Sequence, residues 1–190
     1  MQRELQTRAF EMREFAITAE GRAVEGLVVP YGETASVVTR DGPITEMFAF
    51  GAFRVDVLGS REVGNAHWVK LTLEHNDSIG NRLGYAQELE ETEAGLRALF
   101  TLYPSEAEKA REIIGETHKG LSVGFFTVKA RPNDDGVIVR TEARLDHVAV
   151  TPVPAYESAR VLALREQPGT LETPHLDQVA EYLDTIRAVG

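Results

Sequence analysis

Between residues 10 and 164, apolar runs alternate with Gly, Pro, Asn and Asp punctuation. Alternation and β-branched or aromatic content predict strands over 12–18, 23–30, 67–75, 83–90, 96–103, 121–130 and 137–150. Turns are expected at Glu20-Gly21, Tyr31-Gly32, Glu93-Ala-Gly95 and Pro132-Asn-Asp-Asp-Gly136. Helical spacing is rarer. Ala107, Ala110, Ile113 and Ile114 make one apolar stripe, Ser105-Glu-Ala-Glu108 matches a capping box, and Gly115 or Gly120 is placed to end the helix. A shorter helical turn is expected over 51–58. Past residue 164 the pattern changes. The segment 165–175 holds one aliphatic residue and reads as a linker, whereas Leu176, Val179, Ala180, Leu183 and Ile186 recur at helical spacing behind a Thr173-Pro174 start. The chain therefore divides into an N-terminal extension (1–9), one β-dominated domain (10–164), a linker (165–175) and an amphipathic helix (176–190).

A length of 190 residues supports one domain of ordinary size. With 20 Lys and Arg against 30 Asp and Glu, the net charge of −10 argues against a nucleic-acid binder, which needs a clustered cationic footprint. The absence of Cys removes disulfides, thiolate metal sites and cysteine nucleophiles together. No apolar stretch approaches the ~18–20 residues that span a bilayer, and the N-terminus lacks the apolar stretch of a signal peptide. A soluble, intracellular, acidic protein is expected, with no nucleic-acid or membrane partner.

Three residues stand out chemically. His75 closes the run from Trp68, where period two puts it on one strand face with Val69, Leu71 and Leu73, ahead of a turn at Asn76-Asp-Ser-Ile-Gly80. Ser122 sits between Gly120 and Gly124 with open space expected around its hydroxyl, on the strand face opposite Leu121, Val123 and Phe125. Either residue also fits a purely structural role, because a serine becomes a nucleophile only with a base within about 3 Å. A hairpin centred on Asp134-Asp135 would put Ser122 directly opposite His147, at a Cβ separation of about 4.5–5.5 Å. His67, His118 and His175 read as solvated. Zinc binding by His75, Asp77 and His147 is open by residue type, but their spacing matches no compact ligand motif. No glycine cluster has the spacing of a phosphate loop.

Four segments in order then form a recognisable set: Pro43-Ile-Thr-Glu-Met-Phe-Ala-Phe-Gly-Ala-Phe53, Leu73-Glu-His75-Asn-Asp-Ser-Ile-Gly80, Gly120-Leu-Ser122-Val-Gly-Phe125 and Leu145-Asp-His147-Val-Ala-Val-Thr-Pro-Val-Pro-Ala155. Over about residues 10–165 the chain resembles the prohead (capsid maturation) serine proteases of HK97-like tailed bacteriophages, a family similar in fold to the herpesvirus assemblins. The resemblance implies an α+β, β-dominated fold: a closed or partly closed antiparallel β-barrel with a few surrounding helices. It implies a serine endopeptidase that cleaves scaffold and coat-protein extensions, and possible self-cleavage, inside the assembling prohead in the host cytoplasm. Ser122 takes the place of the nucleophile and His75 that of the general base. His147 is the third member by alignment to the following Pro-Ala, with Asp146 the alternative; strict alternation turns Asp146 the other way along the strand. The partners implied are the major capsid protein and a scaffold protein or domain, self-association is left open, and the mechanism calls for no cofactor or metal. Oxyanion donors are placed in Ala155-Tyr-Glu-Ser-Ala159. A non-catalytic assembly factor on the same fold is the rival reading.

Overall fold

The computed structural model describes residues 5–10, 16–17, 22–39, 42–154, 156 and 159–165. In chain order its strands are β1 (Leu5–Phe10), β2 (Ala16–Ile17), β3 (Ala23–Pro30), β4 (Thr34–Thr39) and β5 (Gly42–Phe48). Helix α1 (Arg54–Val63) precedes β6 (Ala66–Leu73), β7 (Arg82–Thr92) and β8 (Gly95–Leu102). Helix α2 (Ala107–Glu116) precedes β9 (Gly120–Pro132), β10 (Ile138–Thr151) and β11 (Arg160–Arg165). The expected linker lies outside the described residues beyond Arg165, and so does the whole expected C-terminal helix. Residues 5–9 of the span read as an extension, together with Phe10, form the strand β1 along β9.

Seven strands close into a barrel in the order β9, β11, β3, β8, β7, β6, β10, with β10 returning to β9. The expected β-dominated barrel is observed. One ring pairing departs from the antiparallel pattern, because β6 and β10 run parallel, His147 beside Lys70 and Val150 beside Leu73. Closure buries both faces of β3, all eight of whose residues are buried. That includes Glu25, whose carboxylate is paired with Arg97.

The hairpin of β4 and β5 and the strand β11 are elements the hydrophobic pattern does not reveal. In β4 and β5 a mixed composition, with Thr, Ser, Pro and Glu among the apolar residues, obscures the period-two signal, and β11 is a short Val-Leu-Ala-Leu run between two arginines that shows no alternation. Helix α2 forms where expected, with Ala107, Ala110 and Ile114 buried, but Ser105 does not cap it: Glu106 is the N-cap, without a side-chain cap hydrogen bond, and Ser105 Oγ instead bonds Glu106 Oε1 at 3.2 Å. Nor does a glycine end it, since Thr117 is the C-cap and its N–H bonds Ile113 O at 3.0 Å. Helix α1 runs further than the expected turn and stops at Gly64, whose φ of 81° is the left-handed conformation that glycine adopts without steric cost.

Strand β10 organises the site. Antiparallel β9 follows one edge, while β5 and β6 share the other, pairing at residues 138–140 and 147–150 respectively. Between those two pairings the backbone donors must find other partners. Ala143 N–H bonds Ala52 O at 2.8 Å, and Leu145 N–H bonds the buried Asp56 Oδ2 of α1 at 2.9 Å. Burial pushes the Asp56 carboxyl up in pKa, opposed by the Leu145 amide and by Arg144.

Beneath β10, Phe48, Phe53, Phe125 and Tyr156 pack together, with Phe48 and Phe125 edge to face at 5.0 Å. The Arg140 guanidinium lies 5.2 Å from the Phe125 ring centroid and is paired with buried Glu46, Nε to Oε2 at 2.7 Å. Glu46→Ala would leave the Arg140 charge buried and uncompensated, so it is expected to cost about 3–5 kcal/mol in denaturant unfolding. A change below about 1 kcal/mol would mean that Arg140 finds water in solution.

Candidate active site

Alternation along β9 sends Leu121, Val123 and Phe125 into the core and leaves Ser122 and Gly124 on the other face. Ser122 is nevertheless fully buried, which corrects the expected open space. What fills the space beside Gly124 is the His147 ring: a Cβ built on Gly124 would lie 2.3 Å from His147 Cε1 and 2.6 Å from Nδ1. The glycine is therefore needed for the imidazole to sit against β9 at this position.

The hairpin register differs from the simple count. Ser122 is paired with Ala149, and His147 with Gly124, because the ladder is already one residue off the count where Ile138 pairs with Pro132 and, past an irregularity at Glu142 that cancels by Ala143, a second bulge between Leu145 and His147 shifts it once more. His147 thus approaches Ser122 diagonally rather than head-on. The second bulge also breaks strict alternation, so neighbouring Asp146 and His147 meet: His147 Nδ1 is 2.7 Å from Asp146 Oδ2. The expectation that Asp146 faces away is corrected by this bulge.

Strand β6 ends at Leu73, two residues earlier than expected, and His75 belongs to the turn that follows. Glu74 and His75 adopt φ of 48° and 60°, a left-handed pair of non-glycine residues. Such backbone is unfavourable and persists where its surroundings hold it. Here Glu74 N–H bonds Val150 O at 3.1 Å, and Asn76 N–H bonds Leu73 O at 2.9 Å. Asp77 ties the turn to both flanking strands, accepting from Lys70 Nζ at 2.8 Å and from Arg82 Nε at 2.6 Å. Those two donors hold the Asp77 carboxyl below the usual carboxylate range. Asp77 is thus engaged with two cations, and among the described residues no group of three or more His, Asp or Glu is arranged to hold a metal ion.

The turn brings His75 between the other two residues. Its Nε2 is hydrogen-bonded to Ser122 Oγ, and its Nδ1 is 2.7 Å from His147 Nε2. The two rings stand edge to face with centroids 5.0 Å apart. Ser122, His75 and His147, singled out from separate parts of the sequence, form one continuous hydrogen-bonded line that Asp146 extends. Burial, and then the neighbouring His147, lower the His75 pKa to about 4, so the ring is neutral and able to accept a proton at neutral pH.

Among the other histidines, His67 is exposed beside Asn65. His118 is not simply solvated. Its Nε2 is 3.1 Å from Glu74 Oε1, and its Nδ1 is 2.7 Å from Thr117 Oγ1, so the exit of α2 contacts the turn that carries His75. The sequence offers no local signal for that contact. The spacing Ser122-Val-Gly124 is a signal for the seat of His147, readable only when the opposing ring is known. His175 lies outside the described residues, as do Ala155, Glu157 and Ser158 of the expected oxyanion loop.

Gly124→Ala is expected to lower the reactivity of Ser122 towards a serine-directed fluorophosphonate by about 10²-fold through displacement of the His147 ring. Overpacking should also cost about 1–3 kcal/mol of stability. Wild-type reactivity in a folded variant would show that the ring has room to move without consequence.

Comparisons with known proteins come from sequence and from structure. Over 148 residues the chain is 29% identical to the major capsid protein of Lactococcus phage c2, covering 77% of this chain and 25% of that protein. The chain thus spans a quarter of the length of that relative. Among solved structures, the bacteriophage T4 capsid assembly protease aligns over 76% of this chain and 99% of its own, at 8% identity and a TM-score of 0.41. The sequence model for the caudovirus prohead serine proteases matches residues 5–172, which takes in every described strand from β1 to β11, and the protein belongs to that family.

Proposed function

We propose that the protein is a serine endopeptidase of phage head maturation in which Ser122 is the nucleophile, His75 the general base and His147 the third member. The observation that carries this reading is the unbroken hydrogen-bonded line from Ser122 Oγ through His75 to His147. A serine hydroxyl is a weak nucleophile until a base accepts its proton during attack. Neutral His75 has Nε2 free to accept when its proton is on Nδ1, and that proton is donated to His147 Nε2. As Ser122 Oγ attacks the scissile carbonyl carbon, its proton moves to His75 Nε2, and the imidazolium then protonates the leaving amine. The acyl-enzyme is released by water activated through the same base. A histidine in third place supplies an acceptor without the full charge of a carboxylate beside the base, so the cation gains less stabilisation than in a Ser-His-Asp set. A slower enzyme is the consequence, tolerable when protease and substrates are confined together at high local concentration.

The substrates are extensions of the major capsid protein and a scaffold protein or domain, cut inside the assembling prohead in the host cytoplasm. Membership of the prohead protease family supports that setting, and likeness to a segment of a phage major capsid protein supports contact with capsid components. The test is co-expression with the capsid and scaffold gene products of the same phage, followed by intact-mass measurement of every chain. Discrete truncated products that disappear with Ser122→Ala are expected. A non-catalytic assembly factor would leave all masses unchanged while particles still form.

A further inference from the structure

We propose that Asp146 is a positioning residue for the site, its carboxylate selecting the tautomer of His147 that His75 requires. The inference rests on the serine-protease reading above and concerns a residue that touches none of the reacting atoms.

The argument follows the protons. If the Ser122 hydroxyl donates to His75 Nε2, a neutral His75 carries its proton on Nδ1, and that proton points at His147 Nε2, 2.7 Å away. His147 Nε2 must then be an acceptor. A neutral imidazole has one donor and one acceptor nitrogen, so the His147 proton has to be on Nδ1. That nitrogen faces Asp146 Oδ2 at 2.7 Å, and a carboxylate oxygen only accepts. All three contacts are satisfied in one direction only: serine to His75, His75 to His147, His147 to Asp146. Were His147 protonated on Nε2 instead, two N–H groups would oppose each other at 2.7 Å. His75 would have to move its own proton to Nε2 and lose the ability to accept from Ser122.

Two neighbouring cations are held by carboxylates other than Asp146. Lys70 pairs with His147 in the sheet, but its ammonium is engaged by Asp77 at 2.8 Å. Arg144, two residues earlier on β10, is turned to Asp56 at 3.2 Å. The bulge between Leu145 and His147 brings the carboxylate within reach, and the Leu145 N–H held by Asp56 anchors the strand immediately before it. His147 is buried while the Asp146 side chain is 30% exposed, so the carboxylate stays in contact with water and avoids the cost of full burial.

The test uses the full chain and a fluorophosphonate probe, which reports nucleophilic reactivity without needing the natural substrate. Labelling of wild type at the Ser122 residue is expected by intact mass, with none in Ser122→Ala. Asp146→Asn, whose amide is able to donate to Nδ1 and so favour the wrong tautomer, should label about 10²-fold more slowly. Its acid limb should move to lower pH because the site cation loses a nearby negative charge. Asp146→Glu should recover most of the rate. Independently, nitrogen-15 NMR of the wild-type imidazoles at neutral pH should find His147 protonated on Nδ1, a readout that holds whether or not the variants fold. Labelling of Asp146→Asn at the wild-type rate with an unmoved acid limb would overturn the assignment, as would an Nε2-protonated His147. A wild type that resists the probe, or a Ser122→Ala protein that still cuts its partner, would instead remove the serine reading and this inference with it.

Discussion

Ser122→Ala is expected to reduce proteolysis by about 10⁴-fold or more while leaving the barrel folded. On the proposed mechanism the large effect follows from chemistry: without Oγ no acyl-enzyme forms, and His75 has no proton to receive. The small structural effect follows from position. Ser122 presents one hydroxyl on the face shared with Gly124, while Leu121, Val123 and Phe125 of the same strand supply the core contacts. Stability should therefore change by less than about 1 kcal/mol. The measurement pairs product formation from a capsid or scaffold precursor with a thermal melt. Persistent cleavage by the folded variant would eliminate Ser122 as the nucleophile. Loss of cleavage together with a collapsed melting temperature would assign it a structural role instead.

His75→Asn should cost nearly as much activity, since members of a catalytic unit do not contribute independently. Asparagine is the informative replacement because it tolerates the left-handed φ of 60° that this turn imposes, and its amide does not act as a base at neutral pH. The same variant changes the response to acid. Burial and His147 lower the folded-state pKa of His75 from 6.5 to about 4, so the unfolded chain binds a proton more readily than the folded one. The stability associated with the neutral ring is complete above about pH 6.5 and is lost as pH falls towards 4. Below that, both states are protonated and no further loss arises from this group. His75→Asn should consequently flatten the fall in stability between pH 6.5 and 4, measured by denaturant unfolding at a series of pH values. A variant that loses stability over that window as steeply as wild type would mean that His75 is not held neutral by burial.

Much of the molecule was legible in the one-dimensional pattern where the signal is local. Alternating Leu121, Val123 and Phe125 identify β9 and put Ser122 on its other face, and the stripe of Ala107, Ala110 and Ile114 identifies α2, because side-chain direction follows the backbone period. The absence of Cys removed disulfides and cysteine nucleophiles, and four short motifs in sequence order pointed to the family. Residue type and motif pick out Ser122, His75 and His147 along the sequence. The β4–β5 hairpin was not legible, since its exposed and buried positions mix polar and apolar residues and its partner on β10 is distant in sequence.

Tertiary structure alone decided how the site fits together. Counting across a hairpin assumes a known turn centre and an unbroken ladder, but the turn shifts the ladder by one residue and the bulge between Leu145 and His147 by another, which pairs His147 with Gly124 and brings Asp146 into line behind it. Alternation assumes that β6 continues to His75, but the chain turns at Glu74 into a left-handed pair held by Val150, Asp77 and their partners on other strands. Gly124 is required for reasons invisible along the chain, because the ring that excludes a side chain there belongs to a residue 23 positions away in sequence, as the numbering of Gly124 and His147 gives directly. The physical distinction is one of range. Periodicity and residue type are set by each residue and its near neighbours, whereas register, bulges and the meeting of polar side chains are set by which strands close the barrel.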